Sequence, residues 1–470
     1  MIPNGFSFEE VSKAIRGKIV TWNNDKIVKN FANRMSRVSE GSLYFMYEDW
    51  GDEDALINEL NNLKAIGIVV TRNQNLAIEK WSHAGLGIIS VLVLDSAYFN
   101  MARLYRTQID IPIIQVIGSS GKTTTKDMIG AILQYSMPTL VGYANLNSTS
   151  AIVAQITGIK DFHEAAVVEA AMKRRGVMSR SSSITRPYIG VVTGINRSHY
   201  ARMGSIDEII EAKAEMLEYL SEDGYLIING SDENCSRFPV ERFKGRVLTF
   251  GFSEECDIWA SDINSKNFTT TFKAHFNDGI LDCTINTVGR YNVSNALAAI
   301  MVGLKMGIST EDIAKGLLNF KPFSSRMEIL KGIKDTIIIN DNYNANPDST
   351  RMLLNEIPYF TEGRPVILAM GDMENPDDDI SDYARKVHYE IGKQIGRLNP
   401  QYLFAVGKWA EEYLNGAVEE GMDRNKIYYF KTIEGVRETL LNNIIPGSII
   451  IFKASATYVD LRKLIPMLRQ

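Results

Sequence analysis

The sequence predicts an α/β protein of three domains: a small α/β N-terminal domain, a central P-loop domain with a mostly parallel sheet, and a C-terminal Rossmann-like domain. Three observations carry this. Short apolar strands alternate with amphipathic helices along the whole chain. The middle strands, IIQVI, AAVVEA, YIGVVTGI and YLIIN, are almost continuously apolar, as strands buried on both faces are. At 470 residues the chain is too long for one ordinary core, and length alone suggests about three.

The first domain is read as residues 1–108. GSLYFMY is a strand, EDALINELNNLKAI an amphipathic helix, GIVVTR and ISVLVLD strands, and AYFNMARLYR a helix. The second, 109–325, begins at IPIIQVIG. Its stretch 246–288 is richer in Thr, Phe and Asp, and Asn277-Asp278-Gly279 signals a hairpin, so an antiparallel addition is expected there. The helix NVSNALAAIMVGLKMG follows. The third, 326–470, alternates again through DTIIIND, PVILAMGD, YLFAVG, KIYYFK and SIIIFKAS. It lacks GxGxxG, so a dinucleotide is not indicated.

Composition excludes some functions. Hydrophobic residues make up 45% and charged residues 23%, as in a soluble globular protein. A net charge of −5 gives no global basic surface for nucleic acid. Cys235, Cys256 and Cys283 form neither a metal pair nor a disulfide framework, so inert thiols in a reducing cytoplasm are expected. No signal pattern opens the chain, and no apolar run is long enough for a membrane span.

Gly118-Ser119-Ser120-Gly121-Lys122-Thr123-Thr124 lies between the strand IIQVI and the helix TTTKDMIGAILQY. Small residues let backbone N–H groups close on phosphate oxygens, and the helix N-terminus adds positive potential. Lys122 would reach the β- and γ-phosphates and the Thr123 hydroxyl would ligate Mg²⁺. The longer Walker spacing wants Gly where Val116 stands, so this is a shortened GxxGKTTT. The plainer alternative is a helix start with an exposed lysine. Strand before and helix after favour a nucleotide.

Glu169 closes the strand AAVVEA and His199 follows YIGVVTGI. Ligands of open parallel sheets gather at the carboxyl ends of strands, so both would share a rim with the loop. A carboxylate there suits a metal, and an imidazole a ligand or hydrogen-bond partner. Either residue alone would equally serve as a cap or loop residue. Lys213 is the most informative. It lies three and four residues from Ile209 and Ile210 on one side and from Met216 and Leu217 on the other, so it projects from an apolar stripe. A lysine there either snorkels or turns inward to a polar site, where its charge is costly unless paired or neutralised.

From about residue 109 onward the chain resembles the Mur ligase family. The resemblance is carried by GSSGKTTTK, the strand ending in Glu169, NRSHYARMGSIDEIIEAKAEML, GRYNVSNALAA, SRME, NDNYNANPDS, GDM and FKAS, in that order. It implies an ATP-dependent, ADP-forming ligase acting through an acyl phosphate. The implied acceptor is a carboxylate, UDP-N-acetylmuramoyl-tripeptide, and the donor amine is D-alanyl-D-alanine, in cell-wall precursor synthesis. Lys122, Thr123 and Glu169 would hold the phosphates and a first Mg²⁺. His199 and a carbamylated Lys213 would hold a second Mg²⁺. Asn292 and Asn295 would lie near the adenine. Arg326 would contact the γ-phosphate, Asp341 the ribose, and Tyr343 and Asn344 the adenine or the incoming amine. Lys453 and Ser455 match a C-terminal KGS-like motif.

The first domain departs from the family. Met35-Ser36-Arg37 stands for an Asp-Ser-Arg-like motif, an Asp-Gly-His element is absent, and the Asn-x-Asn-Asn acceptor loop survives only as Asn145-Leu146-Asn147-Ser148. KASAT replaces the KGSR-like segment. Sequence drift and a changed acceptor both account for this. A third possibility is a non-catalytic nucleotide-binding homologue; retention of Lys122, Thr123, Glu169, His199, Lys213 and Arg326 argues against it.

Overall fold

The computed structural model describes residues 5–22, 26–48, 50–196, 203–374 and 381–469. Three sheets organise them. The first holds β1 (Lys18–Thr21), β2 (Asn30–Ala32), β3 (Ser42–Phe45), β4 (Gly67–Thr71) and β5 (Gly87–Val91), in the order β1-β5-β4-β3-β2. Only β1 runs antiparallel to its neighbour. The helix Phe8–Ala14 opens the domain behind a Ser7–Glu10 capping box. This helix, β1 and β2 have too short a pattern to read from sequence. The expected strand ISVLVLD ends early, at Val91, and its last residues open the helix Leu94–Arg106.

The second sheet holds β6 (Ile113–Ile117), β7 (Thr139–Val141), β8 (Ala165–Glu169), β9 (Ile189–Val192), β10 (Tyr225–Asn229), β11 (Arg246–Gly251), β12 (Ile258–Lys266), β13 (Thr269–Phe276) and β14 (Gly279–Ile285). Their order is β14-β13-β12-β11-β10-β9-β6-β8-β7. Every residue of β6, β8 and β9 is buried, which explains their unbroken apolar runs. The hairpin at 277–278 joins β13 and β14 as expected. The antiparallel addition starts later than 246, however: β11 pairs parallel with β10, and β12 pairs parallel with β11 on one edge and antiparallel with β13 on the other. Register explains this, because RVLTFG is itself the last parallel strand of the winding.

The third sheet holds β15 (Glu328–Lys331), β16 (Ile337–Asp341), β17 (Val366–Gly371), β18 (Tyr402–Val406), β19 (Ile427–Phe430) and β20 (Ile449–Lys453), ordered β15-β16-β20-β17-β18-β19. All neighbours are parallel except the unanticipated edge strand β15. One apolar core runs from the first sheet into one face of the second, joined where Leu94–Arg106 packs on the helix Val177–Thr185. The third sheet has a core on each face.

Sheet order positions the site. β6 lies between β9 and β8, and the chain winds away from it in both directions. The crevice at the carboxyl ends of these strands is where an open α/β sheet takes a ligand.

Candidate active site

The loop after β6 is held from behind. Gly118 and Gly121 adopt φ of 149° and 81°. A Cβ on Gly118 would collide with the Thr193 hydroxyl, and one on Gly121 with the Asn295 carboxamide, so only glycine fits either position. Ser119 N–H donates to the Gly194 carbonyl at 2.7 Å, and Thr193 Oγ1 donates to the Ser120 carbonyl at 2.5 Å. Asn196 Nδ2 donates to Ser120 Oγ at 2.9 Å. The segment following β9 thus fixes the loop. Gly121 caps the helix Lys122–Ser136.

Thr123 and Glu169 are buried and adjacent. Thr123 Oγ1 donates to Glu169 Oε2 at 2.6 Å, and Asn147 Nδ2 donates to Glu169 Oε1 at 2.7 Å. A hydroxyl and a carboxylate in reach of each other are the hard oxygen donors that Mg²⁺ takes, with phosphate and water completing its shell. The half-buried Lys122 donates from Nζ to the Ser119 carbonyl at 3.1 Å. Burial lowers its pKa, Glu169 opposes this, and the Arg326 charge lowers it further. Anionic oxygens between Lys122 and Arg326 would relieve both cations.

Lys213 turns inward. The helix Ile206–Ala214, capped by the Ser205 hydroxyl, buries it beside Ile209 and Ile210. Its Nζ donates to the Gly118 carbonyl at 2.9 Å. Burial, then the nearby Lys122 charge, push its pKa down to about 7, with Cys235 opposing. The neutral amine is therefore well populated near neutral pH. His199 lies outside the described residues. Among the described residues no cluster of three or more His, Cys, Asp or Glu could hold a metal.

The third domain contributes across a seam. The Arg326 guanidinium carbon stacks 4.2 Å above the Tyr343 ring, and its buried Nε has no hydrogen-bond partner among the described residues. An unsatisfied buried donor of this kind suits an incoming phosphate oxygen. Tyr343 OH accepts from Asn145 Nδ2 of the central domain. Asn344 Nδ2 donates to Glu374 Oε2 at 2.8 Å.

Other expected residues are engaged internally. Asp341 accepts Lys453 Nζ at 2.5 Å and the Met327 N–H at 3.2 Å, so both its oxygens are used. Lys453 also donates to the Asn344 carbonyl at 3.1 Å, and Ser455 N–H to the Asp372 carbonyl at 3.0 Å. Asn295 accepts from Thr125 Oγ1 at 3.1 Å, and Asn292 donates to the Val288 carbonyl at 2.7 Å.

The sequence reading missed Lys126 and Glu374. Lys126 had a signal: it precedes Ile129 by three residues and Leu133 by seven, on the stripe that the helix buries. Glu374 had none, because only the fold brings it to Asn344.

Comparison with known proteins bears on the whole arrangement. Residues 116–303 match the Mur ligase middle domain and 325–456 the Mur ligase glutamate ligase domain. A UDP-N-acetylmuramoyl-tripeptide--D-alanyl-D-alanine ligase of Bacillus subtilis (strain 168) is 30% identical over 373 residues, 78% of each chain. A crystal structure of MurF from Acinetobacter baumannii superposes with a TM-score of 0.82 at 24% identity, covering 98% of both chains. A MurF ligase of Thermotoga maritima in complex with ADP gives 0.77 at 20% identity, over 95% of this chain and 98% of that one. Among the described residues no helix is long and apolar enough to cross a membrane.

Proposed function

Since the chain belongs to the Mur ligase family, we propose that it is an ATP-dependent, ADP-forming ligase that joins D-alanyl-D-alanine to the terminal carboxylate of UDP-N-acetylmuramoyl-tripeptide. One observation carries the reading. The phosphate loop, the Thr123–Glu169 pair and Lys213 lie at one strand rim, and Arg326 faces them from the third domain with a donor unpaired among the described residues.

ATP supplies the phosphoryl group that turns the acceptor carboxylate into an acyl phosphate, and Thr123 and Glu169 would hold the Mg²⁺ that offsets the charge on its phosphates. The protein's part is charge and position. Lys122 and Arg326 offset negative charge as the carboxylate oxygen approaches phosphorus. The loop N–H groups orient the phosphates. The donor amine then attacks the activated carbonyl carbon, phosphate leaves with the bonding pair, and the amine loses its proton. Arg326 and Tyr343 belong to a different domain from the loop, so closure of the seam completes the site and excludes water from the acyl phosphate. Lys213, as a neutral amine, could add to CO₂ with loss of a proton; the carbamate so formed would give the anionic ligand that, with His199, would hold a second Mg²⁺.

The test is phosphate release from ATP with Mg²⁺, UDP-N-acetylmuramoyl-tripeptide and D-alanyl-D-alanine, together and singly. Release that needs both, with a pentapeptide product by mass, is expected. No release with both present, from protein that binds ATP, would overturn the substrate assignment. Met35 in place of the motif's Asp favours a second reading, a Mur-type ligase with a different carboxylate acceptor. Activity on other carboxylates and none on the UDP-linked tripeptide would select it.

A further inference from the structure

Lys126 is a buried cation that the mechanism above does not use. It is 1% exposed. Its Nζ donates to the Gly142 carbonyl at 2.5 Å and the Ala144 carbonyl at 2.7 Å, and it pairs with Asp127 Oδ1 at 2.9 Å. An ammonium has three donors, and all three are satisfied.

Both carbonyls belong to the loop 142–148 between β7 and the helix Thr149–Ile156. Other bonds tie the ends of that loop: Gly142 N–H to the Val167 carbonyl at 2.8 Å, Gln155 Nε2 to the Leu146 carbonyl at 2.6 Å and Ala171 N–H to the Asn147 carbonyl at 3.2 Å. Its large apolar side chains, Tyr143 and Leu146, are 75% and 52% exposed, so no core contact fixes it. Ala144 has a φ of 50°, which a residue with a Cβ adopts only at a cost. Yet the loop sets two contacts of the site. Asn147 donates to Glu169, and Asn145 reaches Tyr343 across the seam. We propose that Lys126 is a positioning residue: its ammonium clamps the loop 142–148 to the phosphate-binding helix, so that Asn145 and Asn147 are preset to receive the acceptor carboxylate beside the nucleotide. The placement of the acceptor rests on the function proposed above; the clamp itself does not.

The test compares wild type, Lys126→Met and Lys126→Met/Ala144→Gly. For Lys126→Met the acceptor KM should rise about tenfold or more, as for a small misplacement of a binding group, while the ATP KM stays within about twofold. Ala144→Gly removes the backbone cost and should recover part of the acceptor affinity. Without substrates, amide exchange at 143–147 should quicken in Lys126→Met while the helix Lys122–Ser136 keeps its protection. An unchanged acceptor KM, or a parallel rise in both KM values, would overturn the proposal. So would unchanged loop exchange. Lys126→Gln, which keeps a donor but has shorter reach, replaces Lys126→Met if that variant does not fold; failure of both to fold would place Lys126 in the domain core and refute a positioning role. If wild type ignores the UDP-linked acceptor, the functional reading falls and the exchange measurement still decides the clamp.

Discussion

Two places in the central domain bury a lysine almost completely, and they treat it in opposite ways. Around Lys126, 1% exposed, stand two carbonyls and a carboxylate. Around Lys213, 3% exposed, the described residues place one carbonyl, the Cys235 thiol and the like charge of Lys122. Burial is the same, so the partners decide the outcome. Three acceptors match three donors and keep an ammonium in place. One acceptor beside another cation favours the neutral amine, which is the nucleophilic form. The first surrounding fits the proposed clamp; the second fits the proposed carbamate.

The largest expected effect tests the second surrounding. Lys213→Ala should cut ligation by more than about 100-fold, as loss of a metal-site group does, with partial return on adding a short carboxylic acid. Full activity in that variant would remove the carbamate assignment.

Next comes the contrast in stability. Lys126→Met leaves two carbonyls and a carboxylate without their cation and should destabilise the central domain by about 3 kcal/mol. Lys213→Met removes a poorly paired charge and should be neutral or stabilising below pH 7. Urea unfolding of the two variants side by side would break the comparison if they lost the same amount.

Taken per pH unit, the pH dependence is smaller. Lys213 in the folded chain holds its proton only up to about pH 7, against 10.5 ordinarily. Between those values the unfolded chain binds more protons, so folding stability rises with pH through that window. Below pH 7 the penalty is complete. In CO₂-stripped buffer the wild type should gain on Lys213→Met by at most about 1.4 kcal/mol per pH unit. A flat difference across the window would mean that Lys213 keeps its charge. The smallest effect is that of Asp127→Asn, which takes the counter-charge from Lys126 and leaves both carbonyls. A loss of about 1 kcal/mol is expected, read from the urea midpoint; a loss equal to that of Lys126→Met would move the clamp's strength from the carbonyls to the ion pair.

These lysines also mark how far the sequence could be read. Lys213 stood out because isoleucines, methionine and leucine flank it at helical spacing. Lys126 lies on a buried stripe too, but Thr123, Thr124, Thr125 and Asp127 around it read as a polar helix start. Glu169 was legible at its strand end, whereas its bonds to Thr123 and Asn147 were not, since they join residues 46 and 22 positions away. Asp341 and Lys453 were each marked by resemblance, and only the parallel pairing of β16 with β20 made them partners.

Local pattern determined the alternation of strands and helices, the glycine loop ahead of its helix, and the buried face of the helix that bears Lys213. Each depends on neighbours within a few residues, where periodicity and backbone sterics act. Tertiary structure decided which oxygens surround each buried charge: two loop carbonyls for Lys126, the phosphate-loop carbonyl for Lys213, the Tyr343 ring beneath Arg326. Those partners come from distant segments brought together by sheet order. Whether a buried amine is held as a cation or released as a nucleophile depends on them, because in a poorly solvated interior the few groups within hydrogen-bond reach replace the water that would otherwise stabilise the charge.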